Sequence, residues 1–311
     1  MTPRPRVAVS GCLLGDLIRY NGGHSRNRFL ADELDRFVDW VHVCPEMEAG
    51  LGTPRETLRL ERGGRLVQRR SRTDVTGAVT EAAERRIGTL DVDGYVFKAK
   101  SPSCGLHGIP VYAGDQAVSR KGRGLFAEKI IEAFPLLPVE DEGRLNDAVL
   151  REEFVERIFA AARLRELLAA EWHPRDLVAF HTRHKMQLLA HDAAAYREAG
   201  RIVAGAGSGD VRAAYAEVFR RALCRRASVG RNVNVLQHCM GMVGNALDRV
   251  RRADLAEVIV DYARREVPLS VPVTLLLHHA RGEAAPYVRD QSYFAPYPSE
   301  LRLRNHVNDG Q

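Results

Sequence analysis

Cysteine is scarce in this chain, with five in 311 residues. So odd and scattered a set argues against a disulfide scaffold and for reduced thiols serving structure, metal binding or catalysis. No Cys-x-x-Cys pair occurs, so the usual element of a structural zinc site and the compact ferredoxin run are both missing. Long apolar runs are missing too: none reaches the roughly 18 residues of a membrane span. Met1 to Arg6 lead into a strand-length apolar run, not a signal-peptide core, and a cytoplasmic protein without a membrane partner is expected. Internal repeats and low-complexity linkers are absent. The first 150 residues carry almost no net charge, 22 Lys/Arg against 21 Asp/Glu. Of the overall 46 against 40, that leaves 24 against 19, or +5, for the rest. A modest excess of this kind suits solubility or an anionic partner.

What is present divides into two grammars. Up to about residue 140, strand and helix patterns alternate: apolar runs at 6–10, 38–43 and 94–98, a hairpin-like stretch from Thr57 to Arg70 turning at Gly63-Gly64, and helical spacing at 27–37, 76–89 and 122–134. A short last strand is expected at 136–140. Alternation of this kind builds βαβ units, so the expectation is a Rossmann-like α/β domain, a mostly parallel sheet covered by helices, over residues 1–148. Residues 149–311 read as an all-α domain, with helical periodicity at 150–170, 177–199, 211–226, 233–250 and 253–265 and an irregular tail from Tyr287 to Val307.

Three cysteines stand just past strand-like runs: Ser10-Gly11-Cys12, Cys44-Pro45-Glu46 and Lys100-Ser101-Pro102-Ser103-Cys104-Gly105. Carboxyl ends of parallel strands share one edge, where ligands bind, so distant residues can meet there. Buried apolar thiols, a single nucleophile and a metal site using all three are the available readings. Three thiolates on a [4Fe-4S] cluster leave one iron open, a Lewis acid suited to sulfur. Glu46 can serve as an acid-base group or as a first-turn carboxylate, and Ser101 can hold a water or form a turn. Arg55, Lys98 and Lys100 can hold a substrate anion or balance cluster charge.

These motifs, with Arg19-Tyr20-Asn21-Gly22-Gly23, Thr53-Pro54-Arg55 and Asp74-Val75-Thr76, resemble the thiouracil desulfidase family over most of residues 6–140. The resemblance implies a [4Fe-4S] cluster held by Cys12, Cys44 and Cys104 and a non-redox hydrolysis that turns a thiolated pyrimidine into its oxo form with release of sulfide. It implies Glu46 and Ser101 as the catalytic pair; Ser10, Arg55, Lys98, Lys100 and Ser103 are the residues expected on the substrate. Thiouracil, thiouridine or its nucleotide is the expected small-molecule partner. Two alternatives stay open: an iron-sulfur hydro-lyase or hydrolase acting on another small substrate, and an RNA-binding module with a structural cluster, nucleic acid being the less favoured partner.

From about Leu177 to Val307 the chain resembles the YbgA type of helical domain, on Phe180-His181-Thr182-Arg183-His184-Lys185, Asn232-Val233-Asn234-Val235-Leu236-Gln237-His238 and Pro296-Tyr297-Pro298. His181, His184, Lys185, Gln187 and His191 share a helix face. That face is read either as a satisfied polar core or, with Lys185 and Arg231, as a site for a substrate phosphate. Cys224 and Cys239 are expected to be buried structural thiols.

Overall fold

β1 (Arg6–Ser10) is apolar on both faces, with Val7, Ala8 and Val9 inaccessible, as a central parallel strand must be. It pairs in parallel with β2 (Asp39–Val43) on one side and β5 (Gly94–Phe97) on the other, and β5 pairs with β8 (Val139–Asp141). The strand order is β2-β1-β5-β8, all parallel. Ala8, Tyr95 and Phe97 pack under α2 (Thr76–Ile87) and α3 (Leu125–Ala133) through Val79, Ala83, Phe126 and Ile130. This core fixes the sheet whose upper edge carries the site. The computed structural model describes residues 3–244, 247–282 and 285–306, and the chain divides into two compact units, Arg4–Leu150 and Arg151 onward.

The first unit also holds a second, four-stranded sheet made of two hairpins. Its hairpin β3 (Leu58–Glu61) and β4 (Arg65–Gln68) turns through Gly63 and Gly64, both at positive φ, as the sequence suggests. Its other hairpin, β6 (Ile109–Ala113) and β7 (Gln116–Gly122), is not anticipated. The helix read from residue 122 begins instead at Leu125. The residues read as a helix at 27–37 form a π-helix, Phe29–Leu34, followed by a 3-10 turn, Asp35–Phe37. A four-residue helix, α1 (Pro45–Glu48), follows β2.

The second unit is helical: α4 (Ala148–Ala169), α5 (Pro174–His191), α6 (Ala193–Ala204), α7 (Arg212–Leu223), α8 (Val229–Val243), α9 (Arg249–Ala263), α10 (Ser270–Gly282) and the short α11 (Pro286–Arg289). The periodic run 177–199 is two helices, not one. Asp192 is extended (φ −153, ψ 106), and its Oδ1 accepts from the Ala194 and Ala195 amides, so it ends α5 and caps α6. α10 and α11 were not read from the periodicity, and Val307, at the end of the expected tail, lies outside the described residues. Among the described residues no helix is long and apolar enough to cross a membrane.

Candidate active site

β2, β1 and β5 are neighbours running the same way, so their carboxyl ends open on one edge. Cys12 lies in the 3-10 turn Gly11–Leu13 directly after β1, Cys44 between β2 and α1, and Cys104 in the loop after β5. All three line one cavity of about 670 Å³, together with Ser10, Glu46, Arg55, Lys98, Lys100 and Ser101. Ser103 alone of the first-unit candidates is absent from the wall. It lies fully buried behind it.

That hidden position joins the other groups. The Ser103 hydroxyl donates to Glu46 Oε1, and Ser101 Oγ lies 2.9 Å from Ser103 Oγ. Ser103 has one proton and spends it on the carboxylate, so the Ser101 hydroxyl donates to Ser103. Ser101 Oγ also accepts the Cys104 amide at 3.2 Å. The other Glu46 oxygen lies 3.5 Å from Cys44 Sγ and 3.7 Å from Arg55 Nη2. A hydrogen-bonded chain therefore runs from Glu46 through Ser103 to Ser101.

Backbone geometry fixes the 101–105 loop. The Gly105 amide donates to Ser101 O, the Gly124 amide to Gly105 O and the Phe126 amide to Ser103 O, which pins the loop to the start of α3. A Cβ on Gly124 would come within 2.5 Å of the Ser103 carbonyl carbon, and one on Gly105 within 2.8 Å of Ser101 O. Only glycine permits that approach. Lys100, which is not glycine, is held at φ 60 immediately before Ser101, an unfavourable conformation of the sort that gathers at functional sites.

The cations differ in freedom. Arg55 is almost wholly buried, bonded through Nη1 to Gly52 O at 2.6 Å. Lys98 Nζ pairs with Glu142, whose other oxygen accepts the Ala99 amide at 2.6 Å, and the Lys98 amide donates to Ser10 Oγ at 2.9 Å. Exposed Lys100 makes no ion pair among the described residues. Burial pushes the Cys12 thiol up to about 11, opposed by Lys98. It pushes Cys44 up to about 12, reinforced by Glu46, and Cys104 well above the usual thiol range, reinforced by Glu46 and Cys44. Protonated thiols are thus the resting state of the protein alone, and a bound metal centre would have to displace their protons.

Among the described residues no group of three or more His, Cys, Asp or Glu converges to hold one metal ion. Three thiols on one cavity wall are the soft donors that the irons of an iron-sulfur cluster take. The donor set fits such a cluster. Cys224 and Cys239 belong to the other unit. Cys239 is buried in the α8 core, as expected, whereas Cys224 is exposed at the end of α7, against expectation, because it caps the helix instead of facing its apolar side.

Three wall or support residues have no site role in the sequence motifs. Tyr20, which is exposed, and Arg19 line the cavity, and Glu142 fixes Lys98. Glu142 follows β8, so its place at the same strand edge was the signal available.

In the helical unit, His181, His184, Gln187 and His191 are all buried, the polar-core reading of that face. Glu156 accepts from Gln187 Nε2 at 2.7 Å and lies 3.4 Å from His191 Nε2 and 3.8 Å from Arg304. Lys185 and Arg231 are not brought into one pocket. Arg231 Nη1 donates to the backbone carbonyls of His191 and Arg226, while Lys185 lines a groove between α5 and α6.

Thiols, a carboxylate and a hydroxyl converging outside the carboxyl edge of a parallel sheet define an α/β protein with a cysteine-lined cavity. Residues 7–142 match the 2-thiouracil desulfurase family, and the chain belongs to it. Residues 185–298 match a second family, described as a protein of unknown function, DUF1722. The uncharacterised YbgA protein of Escherichia coli K12 is 29% identical over 153 residues, 48% of this chain and 90% of its own. The uncharacterised YbbK protein of Bacillus subtilis 168 is 32% identical over 113 residues, 32% of this chain and 72% of its own. A solved structure of the [4Fe-4S]-dependent thiouracil desulfidase TudS is 31% identical, covering 46% of this chain and 94% of that one with a TM-score of 0.39.

Proposed function

We propose that the first unit removes sulfur from a thiolated pyrimidine, as thiouracil, thiouridine or its nucleotide, by a non-redox hydrolysis in which water and the thiocarbonyl become the oxo base and hydrogen sulfide. Membership of the 2-thiouracil desulfurase family supports the class of reaction. The observation that carries the reading to particular residues is the Glu46-Ser103-Ser101 chain ending on a cavity lined by three cysteines. In this proposal Cys12, Cys44 and Cys104 hold a [4Fe-4S] cluster. Bound there, the cluster supplies an iron without a protein ligand, a soft Lewis acid for the departing sulfur.

The protein's own groups account for the proton movements. Hydrolysis needs a proton taken from water at the reacting carbon and one delivered to nitrogen or sulfur, and Glu46, the wall carboxylate 3.5 Å from Cys44 Sγ, is able to do either. Ser101 offers a lone pair to the cavity because its proton is committed to Ser103. That lone pair orients the attacking water or the ring N–H. Ser103 positions both partners without touching the substrate, and Arg55 holds the far oxygen of Glu46 in place. Ser10 and Lys98 shape the wall behind the substrate, and Lys100, without an ion pair among the described residues, is a wall cation able to meet an anionic part of it.

The test is turnover of thiouracil and thiouridine by protein purified without oxygen, followed by loss of the thiocarbonyl absorption. Glu46→Gln and Ser101→Ala are expected to keep iron and colour yet lose turnover. Full turnover in both would remove them from the reaction, and loss of iron in both would make them structural.

A further inference from the structure

The helical unit contains a pocket of its own, about 310 Å³, in the groove between α5 and α6. His181, Thr182 and Lys185 line it from α5, and Arg197 and Gly200 from α6, with no carboxylate in its wall. Lys185 is half-buried and Arg197 exposed, and neither bonds to another side chain among the described residues. Two uncompensated cations around a concave space mark a site for negative charge.

His181 gives the pocket a directed donor. The residue is 3% exposed, and its Nδ1 lies 3.2 Å from the Tyr215 hydroxyl, the only hydrogen-bond partner of either group among the described residues. Were Nδ1 protonated, the inaccessible Tyr215 hydroxyl would keep its own proton without an acceptor, a costly arrangement. Tyr215 therefore donates to Nδ1, and the imidazole proton sits on Nε2. Burial, aided by Lys185, holds the ring neutral by lowering its pKa to about 4, so one tautomer persists near neutral pH. Nε2 faces α6 at Gly200, where an added Cβ would stand 3.9 Å away. The missing side chain leaves the approach to Nε2 open.

We infer that this pocket binds a small phosphate monoester. Lys185 and Arg197 match the charge of about −1.5 to −2 carried by such a group better than that of a carboxylate. His181 Nε2–H and the Thr182 hydroxyl supply neutral donors. The apolar wall from Val178 and Val203 takes the organic body, in a space at the lower end of the range of ligand pockets, about 300–1,000 Å³. The inference is independent of the desulfuration reading, since every residue it uses belongs to the helical unit.

Calorimetry on the full chain with phenyl phosphate, inorganic phosphate and benzoate tests it. Phenyl phosphate is expected to bind more tightly than either of the others. Lys185→Ala should weaken it by at least about tenfold, the scale of one charge-assisted hydrogen bond. Gly200→Leu should abolish binding by filling the groove without lowering the melting temperature, because leucine is the better helix former. Equal affinity for inorganic phosphate or benzoate would overturn the monoester assignment. Undiminished binding in both folded variants would overturn the site.

Discussion

The Ser103 hydroxyl donates to Glu46 across 57 residues of sequence, and that bond ties the loop carrying Cys104 to the helix that follows Cys44. Removing it leaves both catalytic candidates present but unaligned. Ser103→Ala is expected to lower kcat by about 5- to 150-fold, the equivalent of about 1–3 kcal/mol for a buried acceptor left unpaired. KM and iron content should stay near wild type. A rise in KM alone would place Ser103 on the substrate instead.

Glu46→Gln should cost more than Ser103→Ala, about 10²- to 10⁴-fold in turnover, because it removes the proposed acid-base group and not only its orientation. The double variant measures the coupling. If Ser103 acts through Glu46, adding Ser103→Ala to Glu46→Gln should cost less than it does alone. Fully additive losses would mean that the two act separately.

Gly124→Ala introduces a methyl 2.5 Å from the Ser103 carbonyl carbon, where the obstacle is backbone and cannot swing away. Overpacking of this kind costs about 1–3 kcal/mol. The strain falls on the loop that bears Ser101 and Cys104, so iron retention should fall along with melting temperature. Gly50→Ala has open space around it but a positive φ, so it should lower stability while leaving iron content unchanged. Equal iron loss in both would show that general destabilisation, not this loop, governs loading.

In the helical unit, pH separates two kinds of buried histidine. Burial alone would depress His191, but the Glu156 hydrogen bond and charge outweigh it and raise its pKa, while His191, Arg304 and Gln187 hold buried Glu156 down at about 2. A histidine raised on folding stabilises fully below its unfolded pKa, about 6.5, and that contribution fades as pH climbs through the folded value. His181 and His184, lowered by burial to about 4 and about 3, act in the opposite sense and lose stability as pH falls below about 6.5. The stability gap between wild type and His191→Gln, from urea unfolding, should therefore shrink as pH is raised from 6 to 9. A gap that widens would contradict the pairing with Glu156.

Strand-end cysteines were legible because β1, β2 and β5 are short apolar runs broken by glycine, proline or lysine, and parallel pairing brings their ends together. The β6–β7 hairpin was not. Gln116–Gly122 is a mostly exposed, polar strand that carries no apolar alternation, and its turn at Gly114-Asp115 is easily taken for loop. The break at Asp192 was signalled by an N-capping residue inside a helical run, but periodicity on both sides of it masked the signal. Glu46, Ser101 and Cys44 could be picked from local motifs. Their connection through Ser103, and the pairing of Lys98 with Glu142, depend on tertiary neighbours that no local pattern encodes. Likewise the second cation beside Lys185 proved to be Arg197 on the next helix and not Arg231, whose guanidinium is occupied by backbone carbonyls.

Cys12→Ser, Cys44→Ser and Cys104→Ser should each lose iron and brown colour when purified without oxygen, and Cys224→Ser and Cys239→Ser should keep both. Full iron content in any of the first three would remove that cysteine from the cluster.

Hydrolysis itself is tested most directly by turnover of thiouracil in ¹⁸O-enriched water, with no added oxidant or reductant, followed by mass spectrometry of the product base and a count of sulfide. The expected result is one ¹⁸O in each oxo base and one sulfide for each base formed. Product without the label, or turnover that requires a reductant, would contradict the account.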